Sequence, residues 1–241
     1  MLTRVKDAAR FVRTAGLSVG ARALSWHATE RREESRLKIR SGSFVAASEL
    51  AADAAENEPY EATGYSTLMA LFRRIAPAEP EERQVLLDAG CGMGRAMVYA
   101  ATFPYTRVLG FDISPMLIDK ARQNIQNAAG SLRCSRIDAE VASAVEYEVP
   151  DDVTTIFCFN PFNGSTMERF LARVGESMER QPRELTLAFA NPHLSKSAAE
   201  WLEPVDSFDC FDPRMGPKHG YRQRVAVFRF VPRLAARSDQ S

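Results

Sequence analysis

A glycine-rich segment near residue 90 carries the side chains with the clearest chemistry. The apolar run Val85-Leu86-Leu87-Asp88 leads into Gly90, Gly92 and Gly94, and Asp112 follows 18 residues after the last of these glycines. Glycines permit tight turns at positive φ and let a ligand approach the backbone closely. A carboxylate at the end of the next strand can accept hydrogen bonds from two ribose hydroxyls. The spacing therefore predicts a site for a nucleoside-containing cofactor.

Asp88 distinguishes two kinds of cofactor. A dinucleotide site uses G-x-G-x-x-G and places a pyrophosphate at a helix N-terminus, where a neighbouring carboxylate would repel it. Here the spacing is G-x-G-x-G, and Asp88 stands beside the loop. A carboxylate in this place favours S-adenosylmethionine, which carries ammonium and sulfonium charges. An NAD-linked oxidoreductase is the competing interpretation, and both the glycine spacing and Asp88 oppose it.

Four segments follow one another in a recognisable order: Asp88 to Gly94, Asp112-Ile113, Asp138-Ala139 and Asn160-Pro161-Phe162. They resemble the first motif, the ribose-binding acid, the adenine-holding segment and the substrate-facing motif of class I S-adenosylmethionine-dependent methyltransferases (EC 2.1.1). The resemblance covers roughly residues 60 to 231. It implies that the cofactor contacts are Asp88, Gly90, Cys91, Gly92, Gly94, Asp112, Ile113, Asp138, Ala139 and Asn160.

The segment before the core contributes further candidates. Tyr60, Thr63 and Tyr65 lie some 25 residues before the glycine loop. They resemble a segment of small bacterial methyltransferases, and of protein-lysine methyltransferases, that lies over the cofactor and walls the substrate pocket. The alternative is that they are structural aromatics at the start of a helix.

The fourth motif bears on the methyl acceptor. The resemblance implies that Asn160 and Pro161 orient a substrate N–H, with Phe162 as a stacking wall. One proline of the Asn/Asp-Pro-Pro-Tyr/Phe tetrad is missing, which puts nucleic-acid and glutamine substrates in doubt. An amine on a small molecule or a protein side chain is the favoured acceptor.

Proton removal needs a separate group, because an amide is not a base at neutral pH. Solvent, Tyr60 or His193 could take the proton, and His193 is the side-chain candidate for a catalytic base. The alternative is that His193 is a structural loop residue. A second hypothesis for the whole chain is a catalytically silent, cofactor-binding module that binds a partner, although such a module would be expected to lose Asn160.

Alternating strands and helices predict an α/β, doubly wound, Rossmann-like sheet of seven mostly parallel strands that ends in an antiparallel hairpin. The predicted strands are Val85–Ala89, Arg107–Ile113, Leu132–Ile137, Val153–Phe159, Leu185–Ala190, Val205–Phe211 and Arg224–Val231. The predicted helices lie at 2–14, 48–57, 68–75, 95–102, 115–129 (with Ser114 as N-cap and Gly130 as the stop), 165–180 and 197–202.

Composition divides the chain into a basic head and an acidic body. Residues 1–40 hold ten basic and four acidic side chains, and the remainder holds 21 and 27. We expect a helical N-terminal extension and connector over 1–59, a methyltransferase domain over 60–231 and a tail over 232–241. Within the extension, Gly16 and Gly20 end the first helix, and residues 27–59 form the connector. The acidic body argues against a nucleic-acid partner.

The basic head and the cysteines indicate which partners and which cellular location to expect for the protein. We expect residues 2–14 to form either a solvated helix that packs on the body or a contact with anionic lipid, nucleic acid or an acidic protein. No apolar run approaches the roughly 18 residues that cross a bilayer. The four cysteines contain no C-x-x-C pair, so we predict no metal site and a reducing, cytoplasmic location.

Overall fold

The computed structural model describes residues 14–42, 45–46, 59–79, 84–159, 162 and 164–232. Its centre is a seven-stranded sheet in the order β3-β2-β1-β4-β5-β7-β6. Strands β1 to β5 are parallel, whereas β7 runs antiparallel to both β5 and β6. This confirms the predicted α/β sheet with a reversed hairpin at one end.

The strands are β1 Val85–Ala89, β2 Arg107–Asp112, β3 Ile137–Val141, β4 Thr155–Cys158, β5 Thr186–Ala190, β6 Leu202–Phe211 and β7 Arg222–Phe230. The helices are α1 Leu17–Leu37, α2 Tyr65–Ile75, α3 Arg95–Ala100, α4 Pro115–Ala128, α5 Gly164–Arg180 and α6 Lys196–Ala199. Short 3₁₀ turns lie at Ala129–Ser131, Pro213–Met215 and Pro217–His219.

Two hydrophobic cores cover the two faces of the sheet, as the alternation of side chains along a strand requires. Leu86 and Val108 point to the face covered by α2, α3 and α4. Leu87 and Leu109 point to the opposite face, which α5 and α6 cover. Asp88 and Asp112 follow the parity of Leu86 and Val108, so both belong to the face that carries α3 and α4.

The third strand is not where the sequence predicts it. β3 spans Ile137–Val141, whereas the apolar pattern predicted Leu132–Ile137. β3 is an edge strand, and its Asp138 and Glu140 side chains are exposed. Such an edge lacks the continuous apolar run that marks a strand buried on both faces. The predicted stretch contains instead a loop in which the backbone N–H of Cys134 donates to the Ala101 carbonyl over 3.0 Å.

The N-terminal region also differs from the prediction. Helix α1 continues through Gly20 and through residues 27–37, which we expected to be a connector. Gly20 and Trp26 are buried against the body, so packing maintains the helix where propensity opposes it. Most of the predicted helix 2–14, and all of 48–57, lie outside the described residues.

Candidate functional site

The glycine loop links β1 to α3 at the carboxyl edge of the sheet. Gly90, Gly92 and Gly94 have φ values of 72°, 53° and 77°. This left-handed region is costly for residues that carry a Cβ. A Cβ on Gly94 would also lie 3.1 Å from the Cβ of Ala121 in α4. The loop therefore brings backbone without Cβ atoms to the edge where ligands of open α/β sheets bind.

Asp88 lies beneath this loop and is only 3% exposed. Burial raises its pKa to about 8, and the nearby charge of Asp112 acts in the same direction. The carboxyl is therefore mostly neutral at pH 7 when nothing cationic is close. The neighbouring Cys91 is buried, and burial raises the pKa of its thiol, which does not suit a nucleophile.

Asp112 ends β2 and reaches back to the glycine loop. Its Oδ2 accepts a hydrogen bond from the Gly92 N–H over 3.0 Å, and its Oδ1 accepts one from the Ser114 N–H over 2.9 Å. Burial raises the pKa of this carboxyl, although the backbone N–H groups of Ser114, Gly92 and Ile113 oppose the shift. Each oxygen keeps further lone-pair capacity, since an ionised carboxylate accepts about four hydrogen bonds.

Three exposed apolar side chains lie on the elements next to Asp112. Ile113 is 41% exposed, Met116 in the first turn of α4 is 47% exposed, and Val141 at the end of β3 is 46% exposed. Val141 lies in register with Asp112. The sequence suggested Ile113 but missed Met116 and Val141. The true end of β3 would have identified Val141.

Asp138 and Ala139 do not lie at this edge. Asp138 is the second residue of β3 and pairs in register with Leu109, well before the strand ends at Val141. The prediction that Asp138 follows the strand was wrong, because the strand lies further along the chain. The Ala139 side chain is buried, and its carbonyl accepts a hydrogen bond from Arg122.

The segment before α2 lies against the glycine loop through Tyr60. A Cβ added to Gly92 would be 2.1 Å from Tyr60 Cε2, so the ring packs directly on this glycine. The Tyr60 hydroxyl donates to the Ser41 carbonyl over 2.8 Å. Burial raises the pKa of Tyr60 far above neutral pH, which removes it as a candidate base.

Tyr65 and Thr63 are placed differently from Tyr60. The Tyr65 side chain is fully buried and packs edge-on against Tyr99 in the core. The prediction that it walls a substrate pocket was therefore wrong. Thr63 is 4% exposed, and its carbonyl accepts a hydrogen bond from Arg95 over 3.1 Å.

The ends of β4 and β5 form the other half of the edge. Asn160 and Pro161 lie outside the described residues. Phe162 is buried and packs against Phe170 at 5.5 Å between ring centroids, so it is a core residue and not the predicted stacking wall. Phe159, which directly follows β4, has an aromatic side chain that is partly buried.

His193 follows β5 and is exposed. Its Nε2 lies 3.4 Å from the Nδ2 of Asn191, a non-glycine residue with φ of 57°. The Asn191 backbone N–H donates to the Arg224 carbonyl over 2.7 Å, which fixes this turn against β7. Left-handed backbone at a strand end is a form of strain that often accompanies functional sites.

Comparison with known proteins decides which class of enzyme has this edge. Residues 86–180 match the family described as methyltransferase domain. The chain carries a methyltransferase domain. The fold is that of class I S-adenosylmethionine-dependent methyltransferases, and together with the match it confirms the predicted enzyme class, whose methyl donor is S-adenosylmethionine. No curated protein matches the chain.

Two solved methyltransferases illustrate the shared fold. An RNA methyltransferase from Salinibacter ruber in complex with S-adenosyl-L-homocysteine is 18% identical, with a TM-score of 0.52, over 70% of this chain and 93% of that chain. A geranyl diphosphate C-methyltransferase from Streptomyces coelicolor A3(2), crystallised with Mg²⁺, geranyl diphosphate and S-adenosyl-L-homocysteine, is 14% identical, with a TM-score of 0.51, over 70% and 78%. These likenesses establish the fold, and they give no support to the expectation against a nucleic-acid acceptor.

The carboxyl edge of the sheet, where the glycine loop lies, suits a cationic cofactor. Two carboxylates flank three left-handed glycines on one face of the sheet, with exposed apolar side chains beside Asp112. Within the described ranges, no three His, Cys, Asp or Glu side chains come together as a metal-binding group. No described helix is both long and apolar enough to span a membrane.

Proposed function

We propose that this methyltransferase holds S-adenosylmethionine between the glycine loop and the ends of β2 and β3. The observation that carries the proposal is the pair Asp88 and Asp112, on one face of the sheet and on either side of the loop. Asp112 would accept hydrogen bonds from the ribose hydroxyls, since its oxygens have unused lone pairs. The side chains of Ile113, Met116 and Val141 would cover the adenine.

Asp88 would contribute charge beneath the loop. Its carboxyl ionises more easily when an ammonium group lies near, because an opposite charge favours the charged form. When bound, the cofactor supplies an electrophilic methyl group on a sulfonium. The protein's own part in the transfer is to align the acceptor and exclude water.

We propose an amine as the acceptor, on a small molecule or on a protein side chain. The support is the sequence Asn160-Pro161 directly after Phe159, at the substrate end of β4. The Asn160 amide oxygen would orient the amine, and an amide cannot take the proton. The Tyr60 phenol is partly buried and bonded to Ser41, so the exposed His193 is the remaining side-chain candidate for that role among those predicted from the sequence.

Release of S-adenosylhomocysteine tests the acceptor. The protein would be offered primary amines and lysine peptides, then hydroxyl- and carboxylate-bearing small molecules, then RNA. We expect release with the amines and its loss in Asn160→Ala, with cofactor affinity unchanged. Release with RNA alone would overturn the amine proposal. Cofactor binding without release in any arm would favour the silent, partner-binding module.

A further inference from the structure

Arg95, the first residue of α3, is the centre of a buried polar cluster. Its Nε donates to Ser41 Oγ over 2.8 Å, and its two terminal nitrogens donate to the carboxylates of Glu30 and Glu34. One of these nitrogens also donates to the Thr63 carbonyl. Arg95 is 4% exposed. We call Arg95, Glu30, Glu34, Ser41 and Thr63 the N-terminal clamp.

The buried Arg95 guanidinium needs the ion pairs and hydrogen bonds of the N-terminal clamp. A positive side chain in the first turn of a helix opposes the helix dipole, and a buried guanidinium is costly unless it is paired and hydrogen-bonded. Both carboxylates come from α1, more than sixty residues earlier in the chain. Helix α1 therefore neutralises a charge that stands at the end of the glycine loop.

The clamp continues to the residue that covers the loop. Glu34 Oε1 accepts hydrogen bonds from the backbone N–H and the hydroxyl of Ser41, over 2.9 and 3.0 Å. The Ser41 carbonyl accepts from the Tyr60 hydroxyl, and the Tyr60 ring lies on Gly92. Glu30 also accepts from the Tyr65 backbone N–H over 2.6 Å. Both ends of segment 60–65 are thus tied to the clamp.

We propose that Arg95 is a positioning residue for the cofactor, which acts by holding Tyr60 as a cover over the glycine loop. This inference rests on the proposed cofactor site. A ligand that needs the cover in place binds more weakly in proportion to the fraction of molecules that lack it. If the cover is in place in about one tenth of the molecules of a variant, the apparent Kd rises about tenfold.

Arg95→Lys tests the inference, because an ammonium cannot reproduce the planar fork of donors. Arg183→Lys is the matched control. Arg183 also bonds several groups, including the Val153 carbonyl and Ser177, but it lies near the amino ends of β4 and β5, at the opposite edge. The assay is calorimetric titration with S-adenosylhomocysteine. We expect R95K to raise Kd about tenfold and R183K to change it less than about twofold.

Two further measurements separate positioning from general weakening. The Tyr60 backbone N–H donates to the Val45 carbonyl over 2.8 Å, so hydrogen exchange of peptide 59–65 should accelerate in ligand-free R95K and stay unchanged in R183K. Tyr60→Phe keeps the ring and removes the bond to Ser41. Because R95K and Y60F loosen the same cover, their effects on Kd should be less than multiplicative in the double variant.

The outcomes distinguish the two proposals. Equal Kd in R95K and wild type, or fully multiplicative effects with Y60F, would overturn the positioning role while leaving the cofactor site in place. Failure of the wild type to bind S-adenosylhomocysteine would overturn the proposed site itself. If R95K does not fold, Glu34→Gln replaces it, with a smaller rise in Kd expected and no change overturning the inference.

Discussion

Cofactor binding by this methyltransferase should depend on pH through Asp88. Burial and the charge of Asp112 raise the pKa of this carboxyl from 3.8 to about 8 in the ligand-free protein. The ammonium group of S-adenosylmethionine or S-adenosylhomocysteine favours the ionised carboxylate. Binding should therefore select the ionised form and release a proton from Asp88.

The size of the effect follows from the pKa. A carboxyl with a pKa of about 8 is ionised in about 1% of molecules at pH 6 and in about 9% at pH 7. Affinity should therefore rise about ninefold between these two pH values if only the ionised form binds. At pH 7 about 0.9 proton should be released from Asp88 for each cofactor bound.

Calorimetric titration with S-adenosylhomocysteine measures both quantities. Titrations at pH 6 and pH 7 give the affinities, and titrations in buffers of different ionisation enthalpy give the number of protons. Asp88→Asn has the shape of the protonated acid and cannot ionise, so it should bind more weakly and lose this proton release. A wild-type affinity that is equal at pH 6 and pH 7, with no proton release, would refute the reasoning.

The same shift has the opposite consequence for stability without cofactor. The folded-state pKa of Asp88 lies above its unfolded value, so its contribution to stability is fully present below pH 3.8 and is lost as pH rises to about 8. Ligand-free wild type should thus lose more stability than Asp88→Asn between pH 5 and pH 8. Chemical denaturation at the two pH values checks the sign, and a smaller loss in the wild type would contradict it.

Four other substitutions probe the rest of the edge. Gly92→Ala should destabilise the protein by about 1–3 kcal/mol, because the new Cβ would lie 2.1 Å from Tyr60 Cε2 and Gly92 has a φ of 53°. A denaturation midpoint equal to that of the wild type would contradict the packing of Tyr60 on the loop. Asn160→Ala and His193→Gln should both reduce methyl transfer and leave cofactor Kd unchanged, and equal loss of binding in Asn160→Ala would place that residue in the cofactor site. Met116→Ala should leave the denaturation midpoint nearly unchanged, since the Met116 side chain is 47% exposed. If Met116 covers the adenine, the same substitution should weaken cofactor binding severalfold. An unchanged affinity in calorimetry would remove Met116 from the proposed site.

The central strands and the glycine loop could be predicted from the sequence because their signals are local. β1 was predicted with its observed bounds, and Asp88 and Asp112 stand where an apolar strand meets a turn. A strand buried on both faces has a continuous apolar run, and a glycine-rich turn can be recognised from its composition. These elements alone position both carboxylates.

The elements and side chains that the sequence placed wrongly depend on contacts between residues that are far apart in the sequence. β3 is an edge strand with exposed acids, so its pattern is weak, and the sequence placed the adenine-side prediction at Asp138, three residues before the strand ends at Val141. Helix α1 is held by Trp26 in the body and by ion pairs from Glu30 and Glu34 to Arg95. Phe162 and Tyr65 are aromatic residues near the edge, and only the packing shows that they face the core.

Asp112 as the ribose acceptor is the central feature of the proposed cofactor site. The decisive measurement is calorimetric titration of the wild type, Asp112→Ala and Asp152→Ala with S-adenosylhomocysteine and with NAD. Asp152 is a matched surface control, an exposed acid paired with Arg107 at the amino edge of the sheet. Loss of a charged acceptor costs about 1.5–3 kcal/mol, or about 10- to 100-fold in Kd.

We predict that the wild type and Asp152→Ala bind S-adenosylhomocysteine with equal affinity and do not bind NAD, and that Asp112→Ala binds S-adenosylhomocysteine at least about tenfold more weakly. Binding of NAD by the wild type, or an Asp112→Ala affinity equal to that of the wild type, would contradict the account.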